Sequence, residues 1–210
     1  MKNRHLINTL SQNIKPIKVI APLWKRLLMW MMIAILTTGL WLWMMKLRTD
    51  LDRMLTTPLF LIELFLLALL LIFSGFCLLS ASIPGRLKKI HLYQLVGLWV
   101  SWKLNLLISL SAKHYKLTIM DPFYVYSCGI IVTAVAVIPT IVLFIWMKKA
   151  APLNKKLTIG LMGSCSGLIG LTTITLYCHI TELVHILLWH GSPVLIITII
   201  GVLCGKKLLR

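Results

Sequence analysis

"LFLIELFLLALLLIFSGFCLLS", residues 59–80, contains one charged side chain, Glu63, in its whole length. A bilayer's hydrocarbon core of about 30 Å is crossed by roughly 20 apolar residues in helical form. In lipid a helix is favoured because it satisfies its own backbone N–H and C=O groups. Outward from this run, five more of similar character can be marked, at about 27–45, 92–110, 124–147, 157–177 and 183–204. They leave little chain for a soluble domain, and the 210 residues are 59% hydrophobic, with a mean hydropathy of +0.92. None shows the sustained alternation of a spanning β-strand. The expected fold is therefore all-α: an integral membrane bundle of six transmembrane helices over residues 24–210, preceded by a segment at 1–23. The first run is expected to stay as an anchor. It is too long for a signal-peptide core and has no small-x-small site before "KLRTDLDRM".

With six spans the two termini share a side. Of the 22 lysines and arginines, sixteen fall on that side, five (Lys46, Arg48, Arg53, Lys113, Lys116) on the other, and Lys103 within a span. Basic residues concentrate in cytoplasmic loops, so both termini are expected in the cytoplasm. Asp50, Asp52, Asp121 and Glu182 fall on the outer side. The net charge of +17 is then almost wholly a cytoplasmic field. It suits anionic membrane lipid, at about 1 kcal/mol per basic residue near the surface, or an acidic protein surface. No groove-reading motif accompanies it, so direct nucleic-acid binding is not expected.

In "MKNRHLINTLSQNIKPIKVIAPLWKR", Leu6, Leu10, Ile14 and Ile17 recur at helical spacing and form one apolar face. Pro16 ends or kinks that short amphipathic helix, and Pro22 separates it from the first span. An unpartnered apolar face of this kind either lies on the lipid or docks into a groove on a soluble partner.

The second unusual stretch is "YCHITELVHILLWHG", residues 177–191, which places Cys178, His179, Glu182, His185 and His190 in an otherwise oily chain. Of the five cysteines, Cys77, Cys165 and Cys204 read as small apolar core residues. Cys128 and Cys178 fall at matching depth, at the outer ends of the fourth and fifth spans, and consecutive antiparallel helices are usually neighbours. This pair can serve redox or metal-thiolate chemistry. His185 and His190 are five residues apart, too far round an α-helix to share a face. Gly191 and Pro193 should loosen the helix beside His190, because Pro193 has no N–H for the carbonyl of Trp189. Cys128, Cys178 and His185 form a candidate set for a soft or borderline ion such as zinc, bound transiently as a signal, with no permanent cofactor expected. A polar network at a helix end is the other reading.

Glu63 and Lys103 are embedded charges that can pair in the outer half of the bundle, or Lys103 can snorkel outward. Neither has the neighbourhood of a hydrolase, and the chain is not expected to be an enzyme. In the fifth span, "LTIGLMGSCSGLIGLTT", small residues recur at three- and four-residue spacing, which places this helix centrally.

Several pieces occur in a characteristic order: "LINTLSQNIKPIKVIAPLWKR" before the first span, "PLFLIEL" opening the second, "SIPGR" after it, Cys128, "KKAAPLNKKL", and "CHITELVHILLWHGSPVL". In this order the chain resembles the NrsF-type family of bacterial inner-membrane anti-sigma factors, six-span negative regulators of extracytoplasmic-function (ECF) sigma factors. The resemblance implies that the cytoplasmic N-terminal segment, through Leu6, Leu10, Ile14 and Ile17, holds an ECF sigma factor. It also implies that Cys128 and Cys178 serve signal response, with His185 and His190 beside them. The alternative from another class is a small membrane thiol oxidoreductase or metal transporter using the same Cys/His cluster. Oligomeric state is not legible.

Overall fold

In a computed structural model, residues 21–112, 122–150 and 152–208 are described. The segment carrying Leu6, Leu10, Ile14 and Ile17 lies outside them. Each of the six apolar runs is helical, and among the described residues there is no strand. The long helices are α1 (Leu23–Met45), α3 (Pro58–Ala81), α4 (Lys89–Ser111), α5 (Pro122–Ala150) and α6 (Lys155–Tyr177). A short α2 (Leu51–Leu55) precedes α3. The last run is divided into α7 (Leu183–His185), a π-helical turn (Ile186–Gly191) and α8 (Ser192–Leu208).

Local chemistry sets the boundaries. Pro22 precedes α1, and Pro58 opens α3 at its first turn, where a missing N–H costs nothing. The side chain of Asn154 accepts the N–H of Leu157 at 3.1 Å and caps α6. After α3 the chain turns through Gly85 at φ 74°, a conformation glycine adopts without a Cβ clash.

Five helices are long and apolar enough to cross a membrane: Leu23–Met45, Pro58–Ala81, Tyr126–Ala150, Lys155–Tyr177 and Leu183–Gly205. The expected third span forms α4, which has the length but carries His91, Gln94, Ser101, Lys103 and Asn105, and is not among the five.

The central position of α6 follows from its small residues. Of its most apolar stretch 89% is buried, against 17 to 39% in the other four. A Cβ on Gly170 would come within 2.3 Å of the carbonyl oxygen of Val132, so α5 and α6 meet backbone to backbone. On the α8 side, a Cβ on Gly163 would lie 2.8 Å from the carbonyl oxygen of Ile197. Around α6 stand α1, α3, α5 and the α7–α8 helix, while α4 packs chiefly on α3. Cys77 and Cys165 are fully buried in this core, as expected, whereas Cys204 is exposed.

Candidate functional site

The last run owes its shape to Gly191 and Pro193. In a π-turn each carbonyl is bonded by the N–H five residues on, and the N–H of Ser192 bonds to Leu187. The next carbonyl, Leu188, would require the N–H that Pro193 lacks. The Ser192 hydroxyl donates to Leu188 instead and satisfies it. Bonding at five-residue spacing stacks residues five apart. His185 and His190 thus share a face after all, with their Nε2 atoms 3.1 Å apart and their rings edge to face. The α-helical count placed them on different faces; the π-turn that overrides it was signalled by the glycine and the proline.

Two cysteines complete the group. Cys128, on α5, and Cys178, which follows the last residue of α6, have their sulfurs 3.7 Å apart, and both thiols are free. Cys178 Sγ lies 3.4 Å from His185 Nε2. All four side chains are buried, at most 5% exposed. Their four ligand atoms lie within 4.8 Å of one another. Three separate elements therefore converge: α5, the end of α6, and the π-turn with its flanking residue. Close approach is permitted by Gly129, next to Cys128, where a Cβ would meet the Trp189 ring at 3.3 Å and Pro193 at 3.5 Å. The structure thus brings together Cys128, Cys178 and His185, and adds His190 to that set.

Behind the cluster, Arg48 and Glu63 line a small cavity together with Cys178 and His190. Arg48, in the loop after α1, is 7% exposed and Glu63 1%. The Arg48 guanidinium grips Asp50 through two hydrogen bonds of 2.7 and 2.9 Å, and lies over the Phe60 ring at 5.6 Å. Its fork geometry suits a carboxylate. That hydrogen bond holds the Asp50 carboxyl below its ordinary pKa. Lys103 is exposed and lines a different cavity, with Trp99 and Trp102, so it and Glu63 have different surroundings. Sequence reasoning counted Arg48 only as a loop charge. Its one signal was its position a single residue before the pair Thr49–Asp50, within reach of an acid.

Chemically, such a group can form a disulfide, hold a soft or borderline ion, or pass a proton between sulfur and imidazole. Among known proteins, residues 10–210 match the family model described as NrsF, negative regulator of sigma F. No curated protein and no solved structure matches the chain. With nearly its whole length matched, the chain belongs to the NrsF family, the negative regulators of sigma F.

Proposed function

We propose that this protein is a membrane-bound anti-sigma factor that holds an ECF sigma factor at the cytoplasmic face of a bacterial inner membrane and releases it in response to chemistry at Cys128 and Cys178. Family membership supports the role of negative regulator and a sigma factor as partner. In this reading α4 crosses the membrane as a sixth span. Its Lys103 snorkels and its Asn105, which donates to the Leu59 carbonyl at 3.2 Å, is satisfied within the bundle. Six spans put both termini on the side bearing sixteen of the 22 basic residues, the cytoplasm. The Cys/His end then faces the periplasm, where thiols meet oxidants.

The observation that carries the sensor assignment is the 3.7 Å between the two sulfurs. Hydrogen peroxide would take two protons and two electrons from the thiols, join the sulfurs and leave as two waters. Bond formation draws the sulfurs together and pulls the end of α5 toward the end of α6. Release requires two packings of the bundle with different affinities for the sigma factor. The amphipathic segment with Leu6, Leu10, Ile14 and Ile17 is the proposed sigma-binding element, and anionic lipid the surface that the basic loops face.

The test is a reporter of the sigma regulon in cells carrying Cys128→Ser or Cys178→Ser, challenged with peroxide. Either variant should keep the sigma factor bound and abolish induction. A normal response in the double variant would exclude the thiols as the sensor.

A further inference from the structure

The four atoms Cys128 Sγ, Cys178 Sγ, His185 Nε2 and His190 Nε2 converge from three elements on one buried point, and we infer that they form a closed Cys2His2 site for a zinc-class divalent ion. This deepens the sensor reading and rests on it for its regulatory meaning, but not for the binding itself.

Geometry comes first. In a tetrahedral zinc site, with Zn–N and Zn–S bonds of about 2.0 and 2.3 Å, ligand atoms are separated by roughly 3.3–3.8 Å. The sulfur–sulfur, sulfur–imidazole and imidazole–imidazole distances here are 3.7, 3.4 and 3.1 Å. The widest separation, within 4.8 Å, has to contract by roughly 1 Å, the scale of a rotamer adjustment. The π-turn is what presents both imidazoles through Nε2, and a regular α-helix at the same spacing would separate them.

Hydrogen bonding is the second argument. Without an ion, His185 Nε2 has both the Cys178 sulfur and His190 Nε2 within contact distance, and a single ring nitrogen has one proton or one lone pair to offer. One of the two contacts is then unmet, whereas His185 Nδ1 is buried without a partner whether or not an ion is bound. An ion accepting a lone pair from each ring resolves the contact between the two Nε2 atoms and leaves Nδ1 protonated.

Charge selects the ion. Two thiolates and two neutral imidazoles carry a charge of −2 together, so a divalent ion makes the centre neutral, as burial in a membrane helix bundle requires. A monovalent thiophilic ion would leave a buried negative charge. Because protein atoms fill all four positions, the site has no open position for substrate. It would clamp α5, α6 and the π-turn, and hold both sulfurs as metal-bound thiolates at about their present separation.

The test uses the full chain, purified in detergent, stripped with chelator and loaded with zinc chloride, with the bound metal counted after desalting. One zinc per chain is expected, and cobalt(II) in its place should show tetrahedral ligand-field bands with a sulfur-to-cobalt charge-transfer band. Cys178→Ser and His190→Gln should each weaken zinc binding at least tenfold, while gel filtration and thermal unfolding confirm that the variants fold. A stoichiometry near zero, or undiminished binding in both folded variants, overturns the site. This readout needs no sigma factor. Zinc bound at the site with a peroxide response that ignores the cysteines would support the site and defeat the sensor, and a cysteine-dependent response with no bound metal would do the reverse.

Discussion

The backbone N–H of Arg48 donates to the carbonyl of Leu176 at 3.1 Å. The loop leaving α1 is thereby tied to the last turn of α6, two residues before Cys178. Since the Arg48 side chain lines the cavity behind Cys178 and His190, this loop positions the wall of the site as well as closing the bundle. Arg48→Ala keeps the backbone bond but removes the grip on Asp50 and the contact with Phe60. It should cost about 1–3 kcal/mol and speed alkylation of Cys178 by a membrane-impermeant maleimide severalfold. An unchanged alkylation rate would show that Arg48 does not shield the cluster.

The same pair has a pH signature. Asp50 has a folded-state pKa below its ordinary 3.8, through its hydrogen bond with Arg48. Its contribution to stability is therefore complete above about pH 4 and is lost as pH falls through the lowered value. The Asp50 side chain is 36% exposed, so the effect is small. Asp50→Asn should lower the unfolding temperature by about 1–3 °C at pH 6. The two proteins should converge once the pH has fallen below the lowered value, and a gap that persists in stronger acid would point to packing rather than charge.

Pro193→Ala supplies an N–H that the carbonyl of Trp189 can accept at α-helical spacing. The restored donor favours α-helical bonding, in which residues five apart point about 140° away from each other, so His190 should turn from His185. Thermal stability should hold or rise, while zinc affinity drops at least tenfold. Loss of both would mean that the variant had simply unfolded.

Glycine contacts give the sharpest stability contrast. Gly170→Ala forces a Cβ onto the carbonyl of Val132, and the overpacking should cost about 1–3 kcal/mol. Gly39→Ala, on α1, meets nothing within 4 Å and should be neutral or slightly stabilising through helix propensity. Thermal unfolding of the purified proteins in one detergent compares them directly.

Topology and sigma binding are tested in cells. Reporter fusions after Arg53 and Lys116 should report the periplasm, and those after Lys89 and Lys155 the cytoplasm. A cytoplasmic signal after Lys116 would mean that α4 does not cross. Leu10→Glu or Ile14→Glu should abolish capture of the sigma factor with the protein still in the membrane; capture that survives both would assign the segment to the lipid surface.

Apolar run length was enough to read the helices, because in lipid it determines backbone structure almost alone. The central place of α6 was legible for a similar reason: glycine at three- and four-residue spacing has few uses in a membrane helix other than close packing. The matching depth of Cys128 and Cys178 was legible once the helices were counted. What escaped depended on departures from regularity. The pairing of His185 with His190 needs a π-turn, and periodicity arguments assume the α-helix. The approach of Arg48 to the cluster depends on where one loop folds back, which no local pattern encodes. Lys103 and Glu63 are both charges in apolar runs, but the first is exposed and the second buried, and depth in the bilayer says nothing about which way a helix face is turned.

The burial of α6 on every side has a consequence for biogenesis. A ribosome delivers this helix after α1, α3, α4 and α5 have been synthesised. Until it arrives, the helices that will surround it lack their common partner, and the Val132 backbone lacks the Gly170 face that packs on it. The early bundle is thus an open ring waiting for its axle. Translational stalling before Lys155 would leave a membrane species with its core faces unpaired, recognisable to quality-control proteases. Assembly is completed only as the last helix carries His185 and His190 into place.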